Sequence, residues 1–314
     1  MEPKPKIIVI VGPTASGKSD LAVELAKQFN GEVISADSRQ VHRGMDIGTG
    51  KITQGEMRGI PHHLLGIASP KIFYSAATYR RDAERALRKI LARGKLPIVC
   101  GGTGFYISAL VDGLLLPDVP PDQKLRKQLE ERTTTQLFAL LGKLDPKRAA
   151  AIDAKNPRRL IRAIEIARTL GKVPPLFKKQ SAYETLKIGI LIPGSALRGK
   201  IRDRLTARMK KGMVAEVKRL HAEGVSWKRM EAFGLEYRYL ARYLQKNITK
   251  KEMLVMLENE IAHYAKRQMT WFKKDKDIRW VPKKNSAKAK VLVKKFLEQT
   301  PRLNRRLRGV ISWY

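Results

Sequence analysis

The sequence predicts an α/β fold, a largely parallel sheet flanked by helices and interrupted by a helical insertion. Three observations carry this. Short apolar runs rich in Ile and Val alternate with amphipathic stretches, the pattern of strands buried between crossover helices. The first such run, 6–11, passes through a glycine-rich turn directly into a helical stretch. Prolines at 117, 120 and 121, and again at 174 and 175, enclose a charged segment, 122–171, that reads as helical with no strand.

The elements follow in order. Residues 6–11 form a buried strand, and Leu21, Val23, Leu25 and Ala26 continue a helix that starts near Ser19 and Asp20. EVISAD (32–37) is a second strand ending in a carboxylate, and HHLLGI (62–67) a third. SAATYRRDAERALRKILARG (75–94) is an amphipathic helix with Ala83, Leu87, Ile90 and Leu91 on one face and Gly94 as its stop. KLPIVCGGTGFYISAL (95–110) reads as strand, glycine turn and helix start, and LKIGILIP (186–193) returns to the strand signature. Helical stretches at 196–222 and 249–274 follow, the second with a packed face of Leu254, Leu257, Ile261 and Tyr264. The expected organisation is a core of 1–116 and 186–283, a helical insertion of 117–185, and a basic tail of 284–314 in which 287–298 is a candidate helix. The last 32 residues carry ten Lys or Arg and one acid, Glu298.

Lys and Arg number 64 against 29 Asp and Glu, a formal net charge of +35. Such a surplus works against the compact state by self-repulsion, so it points to a polyanionic partner, nucleic acid first, ahead of the plainer readings of solubility or a habit of the proteome. A single cysteine, Cys100, excludes an intrachain disulfide and a two-Cys, two-His zinc site, and fits a reducing compartment. No apolar leader precedes the first strand, and no run approaches the roughly 18 apolar residues of a membrane span. The expectation is a cytoplasmic protein without a membrane partner, acting as a monomer.

The chemistry starts at GPTASGKS, where Gly12, Pro13, Thr14, Ala15, Ser16, Gly17, Lys18 and Ser19 match the spacing of a phosphate-binding loop between strand and helix. Its backbone N–H groups and the helix N-terminus form an anion nest, Lys18 adds charge, and the Ser19 hydroxyl is placed to ligate Mg²⁺. Asp37 closes the second strand, where open parallel sheets bind ligands. It reads as a magnesium acid, a general base or a turn cap, and Ser38, Arg39 and Gln40 beside it suit a polar acceptor. GMDIGTGK (44–51) reads as a flexible loop near the anion site. GGTGFY (101–106) points at the same crevice, with Thr103 a ligand hydrogen-bonder and Tyr106 a packing residue. Arg158, Arg159 and Arg162 form either a solvated basic face or a phosphate grip beside Leu160, Ile161 and Ile164, and Arg126 is a weaker candidate of the same type. Arg204 and Arg208 flank the apolar stripe Ile201, Leu205 and Met209, as idle surface charges or as arms for a leaving pyrophosphate. HYAKRQMTWFKK (263–274) mixes base and aromatic, with Trp271 and Phe272 read as core. His62 and His63 have no metal-ligand spacing and read as structural.

Taken together, GPTASGKS, ISADSRQVHRGMDIGTGK, PHHLLGI, YSAATYRRDA, PIVCGGTGFYISALVDGL, RRLIRAIEI and AKRQMTWF occur in the order found in bacterial tRNA dimethylallyltransferases, and the chain resembles that family from about 6 to 280. The resemblance implies transfer of a dimethylallyl group from dimethylallyl diphosphate to N6 of the adenosine 3′-adjacent to the anticodon, in tRNAs reading codons that begin with U. It implies Asp37 as general base, with Lys18, Arg204 and Mg²⁺ on Ser19 stabilising the leaving diphosphate held by residues 12–19. It also implies tRNA anticodon stem-loop contacts at Asp37, Ser38, Arg39, Gln40, Thr103, Arg126, Arg158, Arg159, Leu160, Ile161 and Arg162, with the insertion as a tRNA-contacting domain. The chain departs from the family pattern at His42, where Tyr is common, at GTGK for GTAK, at RRLIR without a leading Gln, and at FGLEYRYL (233–240). The residues alone leave open a P-loop kinase of a small acceptor, an RNA-binding P-loop NTPase, and a prenyltransferase of free adenine nucleotides. Relatives of the last kind lack the long insertion.

Overall fold

The computed structural model describes residues 3–114, 117–175, 180–283 and 285–299. Among these the chain divides into two compact units, Met1–Gly113 with Gln180–Tyr314, and Leu114–Lys179.

The first unit is built on six parallel strands in the order β3-β2-β4-β1-β5-β6. They are β1 (Lys6–Val11), β2 (Gly31–Ser35), β3 (His62–His63), β4 (Leu96–Cys100), β5 (Glu184–Leu191) and β6 (Arg279–Pro282). Helix α1 (Lys18–Gln28) follows β1, the short α2 (Gln54–Met57) precedes β3, and α3 (Ala76–Ala92) and α4 (Gly104–Val111) flank β4. The alternation of strand side chains sorts β1 between two layers. Ile7, Val9 and Val11 pack with Tyr79, Ala83, Leu87 and Ile90 of α3 and with α4. Ile8 and Ile10 pack on the opposite face, against Leu21, Ala22 and Leu25 of α1. This two-sided burial is why the strands read as unbroken apolar runs.

Expected boundaries shift where the backbone turns. The third strand ends at His63 rather than 67, because Leu64 takes a left-handed φ of 63° that leaves extended geometry. The second ends at Ser35, which puts Asp37 in the turn beyond it. The stretch 196–222 is two helices, α9 (Gly194–Lys210) and α10 (Met213–Ala222), broken at Gly212 with φ 93°. Between α10 and the long α13 (Lys250–Phe272) lie α11 (Trp227–Phe233) and α12 (Leu235–Leu244), and α9, α10, α12 and α13 share a second core.

The second unit contains α5 (Gln123–Glu130), α6 (Thr134–Leu144), α7 (Pro146–Ala151) and α8 (Pro157–Leu170) around Leu137, Leu141, Leu160 and Ile164. Each begins with a side-chain cap, from Asp122, Thr133, Asp145 and Asn156.

Within the expected tail of 284–314 the candidate helix 287–298 is present. Ser286–Glu298 is helix α14, and Ala289, Val293 and Phe296 are buried against α1 and the sheet. Lys6 Nζ clasps its C-terminus, donating to the carbonyls of Phe296 and Leu297 at 2.8 and 3.1 Å, where a cation complements the helix dipole. The rest of the expected tail, 300–314, lies outside the described residues. Among the described residues no helix is long and apolar enough to cross a membrane.

Candidate functional site

The loops at the carboxyl ends of β1, β2 and β4 converge on one cleft, where an open parallel sheet collects ligands. Its lining includes Thr14, Lys18 and Ser19 from the first loop, Asp37, Arg39 and Gln40 from the second, and Gly101 and Gly102 from the third. Helices α9, α12 and α13 close it with Arg204, Arg208, Glu236, Tyr264 and Gln268.

The first loop is wound for anion binding. Gly17 caps α1 in the left-handed region at φ 89°, and the first turn leaves the N–H groups of Lys18 and Ser19 without intrahelical acceptors. Ser16 is turned inward, fully buried, with its N–H given to Pro13 O at 3.3 Å. Lys18 Nζ donates to Pro13 O at 2.6 Å. Burial lowers its ammonium to about 8, and the Arg204 charge pushes the same way. Burial, then the Arg208 charge, also lowers Arg204, whose guanidinium remains charged. Crowded cations in a partly desolvated cleft gain from an incoming anion. The sign of the pH dependence follows. Lys18 loses its charge as pH rises through about 8, so once the ionisation of inorganic diphosphate itself is allowed for, affinity for it should be flat below that pH and fall beyond it. Lys18→Arg should flatten the profile, which calorimetric titration at several pH values checks.

Asp37 sits in a side-chain turn of its own making. Oδ1 accepts the N–H groups of Arg39 at 2.9 Å and Gln40 at 3.3 Å, and no hydrogen bond to Oδ2 is made among the described residues. The third loop braces this turn. Ser38 N donates to Thr103 Oγ1 at 3.0 Å and Thr103 N to Ala36 O at 3.1 Å, while a Cβ at Gly101 would overlap the Ala36 carbonyl. Thr103 therefore spends its hydroxyl on holding the Asp37 turn, where a ligand contact was expected. Arg39 is likewise committed: it pairs with Glu236 at 3.1 Å and lies 5.1 Å from the Tyr264 ring centroid.

The stretch 44–51, expected to be flexible, is pinned. Glu216 of α10 accepts the N–H groups of Asp46, Ile47 and Gly48 at 2.9, 2.6 and 2.9 Å. Lys51 Nζ adds bonds to Asp46 Oδ1 and His42 O. Gly50 leaves the space that the Arg204 and Arg208 guanidinium groups occupy.

Sequence reasoning missed Gln268, which is 6% exposed and ties two loops together. Its Oε1 accepts Thr14 N at 2.8 Å and its Nε2 donates to Gly102 O at 2.9 Å. The available signal was a polar residue on the buried stripe Leu257, Ile261, Ala265, Phe272. Glu236, which joins Arg39 to Arg208 at 3.1 and 2.9 Å, was also missed. Trp271 is 46% exposed, contrary to the expected core position, whereas Phe272 is buried. A Cβ at Gly104 would overlap the Trp271 indole, so the GGTG glycines admit α13. Tyr106 packs as expected, stacked on Tyr79 at 4.1 Å. His63 bonds Glu32 at 2.7 Å and His62 bonds Ile60 O at 2.8 Å, both structural.

In the second unit the expected contact run divides. Leu160 and Ile161, where an RNA contact was expected, have core side chains that are 0% and 8% exposed. Arg126 makes a two-toothed pair with buried Glu165 at 2.7 and 2.7 Å, and Arg162 reaches the same carboxylate at 3.3 Å. Arg158 and Arg159 are exposed.

No group of three His, Cys, Asp or Glu able to hold a metal occurs among the described residues. Among the described residues the Ser19 hydroxyl makes no hydrogen bond, and it lines the cleft with Asp37. That set fits Mg²⁺ arriving with a phosphate ligand, since Mg²⁺ takes most of its oxygens from phosphate and water.

Two family profiles match the chain: IPP transferase over residues 40–275 and isopentenyl transferase over 5–66. The tRNA dimethylallyltransferase of Thermomicrobium roseum is 40% identical over 286 residues, covering 89% of this chain and 87% of that one. The tRNA dimethylallyltransferase 1 of Geotalea daltonii is 42% identical, covering 85% and 86%. The crystal structure of the tRNA isopentenylpyrophosphate transferase of Bacillus halodurans superposes with a TM-score of 0.72 at 37% identity, covering 94% and 97%.

Proposed function

The chain belongs to the tRNA dimethylallyltransferase family and is a tRNA prenyltransferase; from that premise we propose that its cleft moves a dimethylallyl group from dimethylallyl diphosphate to N6 of the adenosine 3′-adjacent to the anticodon, in tRNAs reading codons that begin with U. The observation that supports this most is the meeting of the first loop, Lys18 and Arg204 with the Asp37 carboxylate in one cleft.

Asp37 is the base. An exocyclic amine is a poor nucleophile, because its lone pair is delocalised into the ring. The lone pair gains strength if the N6 proton passes to Asp37 Oδ2 as N6 attacks the donor's C1. The C1–O bond breaks, and its electron pair leaves with diphosphate. The N–H groups at the start of α1, the Lys18 ammonium and the Arg204 guanidinium receive the growing charge. Ser19 Oγ would hold Mg²⁺, which when bound would supply further charge neutralisation at the diphosphate. A base within a stacked loop must leave the stack to reach Asp37. Exposed Arg158 and Arg159 contribute to the basic surface that meets RNA phosphates, while Arg126 and Arg162 shape that helix face through Glu165.

Incubation with tRNA, dimethylallyl diphosphate and Mg²⁺, followed by nuclease digestion and mass spectrometry, tests the proposal. One C5H8 unit is expected on the adenosine after the anticodon. An unmodified tRNA, or a phosphorylated small acceptor in the presence of ATP, would refute it. The +35 charge makes a second expectation. The log of tRNA affinity should fall against log salt by about 0.7–0.9 per phosphate contacted, and a flat response in filter binding would contradict an electrostatic role.

A further inference from the structure

We propose that Glu216 is a positioning residue for the cleft's arginines, acting through the turn 46–50. The proposal rests on the reading that the cleft holds a diphosphate. Glu216 is 6% exposed and lies outside the cleft lining. Its carboxylate receives four donors: the N–H groups of Asp46 and Ile47 on Oε2, and Gly48 N–H and the Tyr237 hydroxyl, at 2.8 Å, on Oε1. Four donors fill the carboxylate's lone pairs. Among the described residues it makes no ion pair. A buried carboxylate that spends its whole capacity on one turn and one hydroxyl fixes the orientation of that turn.

A peptide turn has two sides. With the amides of 46–48 drawn to Glu216, the carbonyls that follow face the cleft's cations. Gly48 O accepts from Arg208 Nη1 at 3.2 Å and Gly50 O from Arg204 Nη2 at 3.0 Å. Gln40 Nε2 donates to Thr49 O and Gly50 O at 3.4 Å each. Arg208 has a second partner in Glu236. Arg204 has no carboxylate partner among the described residues, so a neutral carbonyl aims it while its charge stays available to an anion. A Cβ at Gly48 would sit 2.7 Å from the Tyr237 ring, so the turn also depends on glycine where α12 presses against it.

The test is Glu216→Gln, which halves the acceptor capacity at nearly constant volume, with Tyr237→Phe as the milder companion should the first variant fail to fold. Diphosphate affinity is measured by calorimetry with Mg²⁺, and kcat and donor KM by varying the donor at saturating tRNA. Glu216→Gln is expected to weaken inorganic diphosphate binding and lower kcat/KM for the donor by about 10–100-fold, the scale of a misplaced contact. Affinity for tRNA should hold. In an Arg204→Ala background the same change should cost less, because the arginine that the turn alone aims is gone while Arg208 keeps Glu236 as a second partner. Tyr237→Phe should show the same pattern at smaller size. Diphosphate affinity unchanged in both variants, or an equal loss with and without Arg204, would overturn the proposal. Wild-type protein that fails to bind diphosphate at all would refute the functional reading instead.

Discussion

Asp37→Ala is expected to lower the rate of prenyl transfer by about 10²–10⁴-fold, the usual contribution of a positioned base, with diphosphate affinity unchanged and tRNA affinity reduced by loss of the turn that Oδ1 holds. The geometry explains both halves. Oδ1 is occupied by the N–H groups of Arg39 and Gln40, which build the turn, and Oδ2 is the oxygen left to take a proton. Asp37→Asn sharpens the test, since its amide oxygen preserves the turn and its nitrogen accepts no proton. Single-turnover transfer of labelled donor, alongside filter binding, separates chemistry from affinity. Lost tRNA binding with the chemical step spared would remove Asp37 from the base role.

Lys18→Met should cost about 10²–10³-fold in kcat/KM for the donor, comparable to removing one preorganised charge donor from a developing anion, and should leave tRNA affinity intact. Lys18 is held at the loop by Pro13 O and crowded by Arg204, so its charge is already in place before the bond breaks. Steady-state kinetics against donor concentration, with diphosphate calorimetry, checks this. A loss confined to KM for tRNA would contradict it.

The sheet and the two chemical centres were legible because each is local in sequence. The loop at 12–19 is contiguous, and Asp37 follows its strand by two residues. What was not legible is the scaffolding between elements distant in sequence. Gln268 reaches the first loop across 254 residues, and Glu216 reaches the 46–48 turn across about 170. No local pattern announces such a bond; only a polar side chain on a buried helical stripe hints at it. The flexible loop expected at 44–51 failed for that reason: its glycines were read as freedom, whereas they make room for Tyr237, Arg204 and Arg208. Trp271 and Phe272 show the same limit at one-residue scale. Composition placed both in the core, and the helical turn between them buries one and exposes the other.

The central claim is that the first loop holds a leaving diphosphate, so a carbon–oxygen bond breaks rather than a phosphorus–oxygen bond. Dimethylallyl diphosphate labelled with heavy oxygen at the bridging position between C1 and phosphorus tests it directly. The label should emerge wholly in the released diphosphate, with none on the prenylated tRNA. Label retained on the organic product, or diphosphate released without it, would contradict the account.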